Sequence, residues 1–156
     1  MEIDGLPLHP LVVHAAVVLI PLTGVLGLAL AVLPGWRWLS RWPTAVASVV
    51  SVGIAFLATR TGESLEASRP ELGALVRVHA ERGHRLVTCT VVLAVVVLVS
   101  AVLLPGTSAL ASGKGARTSR LAVADRVLPV LLVLVVAVVL VQVYLTGESG
   151  ARAVWG

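Results

Sequence analysis

The sequence predicts an all-α fold, an integral membrane four-helix bundle. Of its 156 residues, 58% are hydrophobic and 13% are charged, and the mean hydropathy is +1.00. A soluble domain is about a quarter charged, so this chain has too few polar side chains to cover a water-facing surface. The apolar residues form four runs long enough for helices that cross a bilayer. They do not alternate with polar residues, as the strands of a membrane barrel would.

The four runs predict spans at about 10–33, 44–60, 84–104 and 127–146, all in one domain covering residues 1–156. The second run is the shortest and contains Ser48, Ser51 and Gly53. Small residues let helices approach each other closely, so this span is expected to pack inside the bundle. A chain of this composition has the lipid bilayer as its first partner.

Proline, glycine and tryptophan mark the connections between the spans. Pro34 and Gly35 end the first run, and Pro43 is expected in the first turn of the second helix. Thr107 to Arg120 is rich in Gly and Ser and predicts a mobile loop. The segment from Thr61 to Arg85 contains a predicted helix start at Pro70-Glu71. This segment forms either an interfacial helix or an outward extension of the third helix.

The charged residues bear on orientation and exclude one class of partner. The net charge is +4, but the basic residues form no stripe with interleaved aromatics, so nucleic acid is not expected. The numbers of Lys and Arg on the two sides of the bundle are equal. The first hairpin loop is short and basic, whereas the N-terminal tail has no Lys or Arg, which favours both termini outside. The expected location is the bacterial cytoplasmic membrane.

Two short patterns occur once in each half of the chain. His9 and His14 open the first helix, and His79 and His84 open the third with the same spacing. Thr61-Gly62-Glu63-Ser64 follows the second span, and Thr146-Gly147-Glu148-Ser149 follows the fourth. This order predicts a parallel internal repeat of two helical hairpins, with all these residues at one membrane face. Each Thr-Gly pair also resembles the end of a helix.

The histidines are the candidate ligands of a cofactor. His14 lies about one turn into an apolar helix, where a polar group suggests a function. His9 precedes Pro10 and is expected outside helical geometry, as a helix-entry residue or rim ligand. His79 and His84 are five residues apart, about 140° around a helix, so only one of them can point straight into the bundle. Which of the two does so stays open.

Two kinds of site are compatible with these residues. A b-type haem would use His14 with His84 or His79 as ligands and Arg85 near its propionates. A non-haem metal site would gather three or four donors. Its candidate ligands are His9, His14, His79, His84, Glu63 and Glu148. The haem alternative implies electron transfer with a redox protein partner.

A third alternative needs no cofactor. Gly24 and Gly27 would let partner helices pack closely on the first helix, as in a membrane scaffold, an accessory subunit or a homo-oligomer. No pairing of a nucleophile with a base is evident, so the sequence favours a protein that is not an enzyme.

The opening of the chain resembles a known family. The run from Gly5 to His14, with its His9-Pro10 pair, is similar to the opening signature of the bacterial membrane family called domain of unknown function 2231. Pro21, the Thr61-Gly62 pair and a histidine before the third helix also match that pattern. The resemblance implies four membrane-spanning helices over nearly the whole chain. Some relatives are joined to Rieske-type or cytochrome-type redox domains, which favours haem binding or electron transfer and implies a separate redox partner here.

Overall fold

The computed structural model describes residues 2–3, 6–68, 71 and 73–155 and contains four long helices. These are α1 (Leu8–Val32), α2 (Arg37–Ser68), α3 (Gly73–Leu103) and α4 (Ala122–Trp155). Two short antiparallel strands, β1 (Glu2–Ile3) and β2 (Leu6–Pro7), precede α1. A 3-10 turn at Pro34–Trp36 joins α1 to α2. Each helix includes an apolar stretch long enough to cross a membrane, so the all-α membrane bundle is confirmed.

The helices extend further than the apolar runs predicted. α2 has 32 residues and α4 has 34, which corresponds to about 48 and 51 Å at 1.5 Å per residue. The hydrocarbon core is only about 30 Å thick, so these helices continue into the headgroup region and water. Thr61 and Thr146 therefore lie inside helices, and the predicted helix ends there were wrong.

The starts of α2 and α3 also differ from expectation. Pro43 lies within α2 and not in its first turn, because the helix already begins at Arg37. In the segment between the second and third spans, α2 continues to Ser68 and α3 begins at Gly73. Of the two predicted alternatives, the outward extension of the third helix is therefore the one observed. Pro70, part of the predicted helix start, lies outside the described residues, and α3 begins at Gly73.

Each helix packs against its two neighbours in a closed ring. α1 contacts α2 and α4, α3 contacts the same two helices, and α1 and α3 lie diagonally opposite with few contacts. Ile20, Leu93, Leu132 and Val136 are among the fully buried side chains at the centre. Because α1 and α3 run in the same direction, their first residues meet at one end of the bundle.

Small and hydroxylated residues form the interior seams. Thr23 on α1 and Ser51 on α2 are fully buried and form a hydrogen bond between their hydroxyl groups, with 2.9 Å between the oxygens. Gly24 and Gly27 are buried against Val136 of α4, and a Cβ at either would lie 3.3 Å from a valine methyl. These glycines serve packing within the chain, so the expectation that they offer a surface to partner helices was wrong.

Candidate imidazole site at the start of helices 1 and 3

The first half of the chain holds His9 between α1 and α2. His9 is the second residue of α1, so Pro10 does not push it outside the helix as expected. Its Nδ1 lies 3.0 Å from the carbonyl oxygen of Ala58 and 3.2 Å from Oγ1 of Thr61. The Thr61 hydroxyl is also within hydrogen-bond distance of the carbonyls of Leu57 and Ala58. A carbonyl can only accept, so Nδ1 of His9 must carry the proton.

The second half of the chain repeats this arrangement between α3 and α4. Nδ1 of His79 lies 3.0 Å from the carbonyl oxygen of Thr146 and 3.4 Å from Oγ of Ser149. The Ser149 hydroxyl donates to the same Thr146 carbonyl at 2.9 Å. His79 therefore also carries its proton on Nδ1, and when the ring is neutral its Nε2 keeps a free lone pair.

A glycine allows each imidazole to approach the neighbouring helix. A Cβ at Gly62 would lie 3.1 Å from Cε1 of His9. A Cβ at Gly150 would lie 3.0 Å from Cε1 of His79. Each half thus contributes an imidazole, a carbonyl that accepts from it, a hydroxyl one turn further along the helix, and a glycine directly after the hydroxyl.

The structural repeat has a different register from the repeated letters. The sequence aligned Thr61-Gly62 with Thr146-Gly147. In the structure, Thr61 and Gly62 contact the imidazole of His9. Ser149 and Gly150, three residues further along than the repeated letters predict, contact the imidazole of His79. Ser149 and Gly150 were missed as site residues. The sequence does contain an indication of them, because Ser149-Gly150, like Thr61-Gly62, is a residue with a small hydroxyl side chain followed by glycine.

The two imidazoles face one cavity near the centre of this end of the bundle. Their ring centroids are 6.3 Å apart and their planes meet at 79°. The cavity has a volume of about 80 Å³ and its walls are mainly apolar. Val13, Ile20, Leu86 and Val143 belong to these walls. We call this space, with His9 and His79, the imidazole pocket.

His14 and His84, the predicted haem pair, do not line the imidazole pocket. Nδ1 of His14 lies 2.6 Å from the Pro10 carbonyl oxygen of its own helix, and the His14 side chain is exposed. Nε2 of His84 lies 3.5 Å from Oε1 of Glu63, and this side chain is also largely exposed. The five-residue spacing explains both positions, since it turns the second histidine about 140° away from the first.

The other predicted ligands have ionic partners of their own. Glu63 also lies within 3.6 Å of Arg60. Glu148 contacts Arg82 at 3.5 Å and Arg152 at 2.7 Å. Both carboxylates lie inside helices, although the sequence placed them after the second and fourth spans. Arg85 is exposed at this same end of α3.

Within the described part of the chain, no three of its His, Cys, Asp and Glu side chains come together as metal ligands. The predicted metal site of three or four such donors is therefore not assembled. What the fold does bring together is one pair of imidazoles, His9 and His79, each held by a backbone carbonyl.

The family of predicted membrane proteins designated DUF2231 matches residues 5–156 of the chain. The chain belongs to this family. The membership agrees with the resemblance of the opening residues and covers all four helices of this DUF2231 protein. Searches among curated proteins and among solved structures gave no significant match.

Proposed function

We propose that this DUF2231 protein is an electron-transfer subunit whose metal centre is held between His9 and His79. The observation that carries the proposal is the pairing of two imidazoles whose Nδ1 atoms donate to backbone carbonyls. Metal-bound histidines almost always use their second ring nitrogen in this way, which fixes the tautomer and orients the ligand atom. In both residues the nitrogen left for a ligand is Nε2.

The separation of the rings is compatible with one shared metal ion. A metal–nitrogen bond is about 2.0 Å, and a ring nitrogen is about 1.2 Å from the centroid, so two imidazoles opposite each other on one ion have centroids about 6.4 Å apart. The centroids of His9 and His79 are 6.3 Å apart. The centroid separation therefore matches that of two rings on one shared ion, and binding also requires both Nε2 atoms to turn toward that ion.

A b-type haem is the first candidate for this metal centre, because haem is the simpler of the two candidates to reconcile with electron transfer. Two imidazoles would bind the iron, and the apolar walls of the imidazole pocket would face the macrocycle. Cofactor pockets usually have volumes of about 300–1,000 Å³, whereas the imidazole pocket has about 80 Å³. Haem binding therefore requires the side chains between α1 and α3 to move apart.

A bare metal ion is the second candidate, and the small cavity favours it. Imidazole nitrogens suit copper, zinc, iron and nickel. Two histidines leave coordination positions that water or a small ligand would fill, and the cavity volume has room for a few waters. In this form the protein would bind or deliver an ion at the membrane surface.

We place the chain in the bacterial cytoplasmic membrane with both termini, and thus the imidazole pocket, on the outer side. Arg37 and Arg41, at the start of α2 where the first two spans are connected, support this orientation. A redox protein outside the membrane would then be the electron-transfer partner.

The test is a reduced-minus-oxidised visible spectrum, with metal analysis on the same protein purified in mild detergent. His9→Ala and His79→Ala are expected to remove the centre, and His14→Ala and His84→Ala are the matched controls that should keep it. A haem band near one equivalent identifies the haem form. Stoichiometric metal without a band identifies the bare ion.

Two results would contradict the proposal. One is a wild-type protein that contains neither haem nor metal and binds neither when they are added. The other is a centre that His14→Ala removes and His9→Ala leaves intact. If an alanine variant at His9 or His79 fails to fold, Thr61→Val serves instead, because it removes only the hydroxyl beside the imidazole. We expect it to weaken metal binding by about 10-fold or more.

A further inference from the structure

The other end of the bundle contains buried arginines with unequal hydrogen bonding. Arg37 is the first residue of α2, and Arg41 lies one turn further along the helix. Both side chains are buried, with exposed fractions of 6% and 4%. They are far along the bundle from the imidazole pocket, which lies beside the other end of α2.

Each of the three guanidinium nitrogens of Arg37 donates a hydrogen bond to a backbone carbonyl. Its guanidinium donates to the carbonyls of Leu30 and Ala31 at the end of α1, at 2.8 and 2.9 Å. It also donates to the carbonyl of Pro105, just after α3, at 3.1 Å. A positive charge at the carboxyl ends of helices is favourable, because their dipoles and free carbonyls are negative there. Arg37 is therefore a structural cap of α1 and α3.

Arg41 lacks comparable partners. Its Nε donates to the carbonyl of Arg37 at 3.0 Å, but its Nη2 is buried with no hydrogen-bond partner. No salt bridge in the described part of the chain involves Arg41. Arg37 and Arg117 both act on Arg41 electrostatically, and both are positive. The Asp125 carboxylate acts on Arg37. A buried guanidinium next to two others is costly unless an anion compensates it.

The loop after α3 holds Arg117 next to this group. Gly106 and Arg117 form an antiparallel bridge, with backbone hydrogen bonds of 3.1 and 2.8 Å. Gly106 lies against Arg41, since a Cβ there would be 3.0 Å from Nη2. The bridge therefore fixes the backbone of Arg117 beside the glycine that covers Arg41. We call Arg37, Arg41 and Arg117 the arginine cluster.

Two tryptophans indicate the depth of the arginine cluster in the membrane. Trp36 and Trp42 flank Arg37 and Arg41 in sequence and have exposed fractions of 61% and 59%. Exposed tryptophans at the ends of membrane spans lie at the level of the lipid headgroups. The anions available in quantity at that depth are phosphodiesters of acidic phospholipids, and basic pockets between membrane helices bind such headgroups.

We propose that the arginine cluster binds a phosphate group, supplied by the headgroup of an acidic phospholipid. Arg41 and Arg117 are the residues that contact it. Because Gly106 covers Nη2 of Arg41, this contact requires the loop after α3 to shift. Arg37 holds the ends of α1 and α3 beside them. Guanidinium groups donate to phosphate oxygens through paired N–H groups, which suits a site built from arginine and not lysine. This site is independent of the imidazole pocket and of any cofactor.

The experiment measures the thermal stability of delipidated protein in mild detergent during titration with phosphatidylglycerol, phosphatidylcholine or inorganic phosphate. We expect phosphatidylglycerol to raise the melting temperature and phosphatidylcholine to have no such effect. Arg41→Gln should weaken the apparent affinity for phosphatidylglycerol by about fivefold or more, the value of one cation near an anionic headgroup. Arg120→Gln is the matched control, because Arg120 is an exposed cation in the same loop region.

The other possible results either show which anion binds the arginine cluster or contradict the proposed phosphate site. Inorganic phosphate that stabilises as well as phosphatidylglycerol supports the anion site and overturns the lipid as its source. Equal responses of Arg41→Gln and Arg120→Gln, or no response to any anion, overturn the proposal. If Arg41→Gln does not fold, Arg117→Gln replaces it, since Arg117 is a half-buried loop residue. If Asp125, whose Oδ1 is also unpartnered, neutralises Arg41 instead, Asp125→Asn will destabilise the protein and anionic lipid will have no effect.

Discussion

Substitution of Gly62 by alanine tests the structural core of the imidazole site without assuming any cofactor. A Cβ at Gly62 would lie 3.1 Å from Cε1 and 3.4 Å from Nδ1 of His9. The 3.1 Å distance is shorter than ordinary van der Waals contact, so the imidazole must shift by a few tenths of an ångström. The shift bends the hydrogen bond from Nδ1 of His9 to the Ala58 carbonyl, which is 3.0 Å long.

The expected size of the effect follows from two opposing terms. Replacing glycine by alanine inside a helix stabilises it by about 0.5–1 kcal/mol. Weakening a partly buried hydrogen bond of this kind costs about 1 kcal/mol. Gly53→Ala, on the same helix, gives only the first term, because nothing lies within 4 Å of its Cβ position. We therefore expect Gly62→Ala to be less stable than Gly53→Ala by about 1 kcal/mol.

The assay is reversible unfolding of both variants in mixed micelles, under identical lipid and detergent conditions. A Gly62→Ala variant that gains as much stability as Gly53→Ala would refute the close packing of His9 against α2. Where the metal centre can be measured, Gly62→Ala should also weaken it by about 10-fold, since it displaces the imidazole. Gly53→Ala should leave that affinity unchanged.

Two further predictions concern the interior of the bundle. Thr23→Val and Ser51→Ala should show a coupling free energy of about 0.6 kcal/mol in a double-mutant cycle, the average for hydrogen bonds between membrane helices; strictly additive effects would mean that the bond contributes nothing. Gly24→Ala should destabilise the protein by about 1–3 kcal/mol through overpacking, because its Cβ would meet a Val136 methyl at 3.3 Å; unfolding in the same micelles checks this, and a gain in stability would contradict it.

The fold could be predicted because the bilayer leaves few alternatives. Backbone groups within lipid must bond to each other, so four long apolar runs can only be helices in a bundle. The ends of those helices were less predictable. Thr61-Gly62 and Pro43 are typical of helix ends in soluble proteins, yet both lie inside α2. A helix can continue beyond the membrane surface into water, so the end of an apolar run does not indicate the end of the helix.

The sequence could not indicate which histidines line the imidazole pocket. His14 lies deeper in an apolar run than His9 does, and a polar group at depth indicates a function. Depth along a helix says nothing about which way a side chain points, and only the packing partner decides that. The partner of His9 is a carbonyl and a hydroxyl of α2, and no spacing within α1 could reveal them.

The internal repeat shows why chemistry is a better guide than letters. The two Thr-Gly-Glu-Ser segments are identical, but the fold uses Thr61 in one and Ser149 in the other. Each histidine needs only a carbonyl, a hydroxyl one turn further along and a glycine after it. Those needs are met by Ala58, Thr61 and Gly62 in one half and by residues with little letter identity in the other. The two helical hairpins share few letters, yet in each of them Nδ1 of the imidazole donates to a backbone carbonyl and leaves Nε2 for a ligand. A ligand bound by both rings would require this arrangement in both halves.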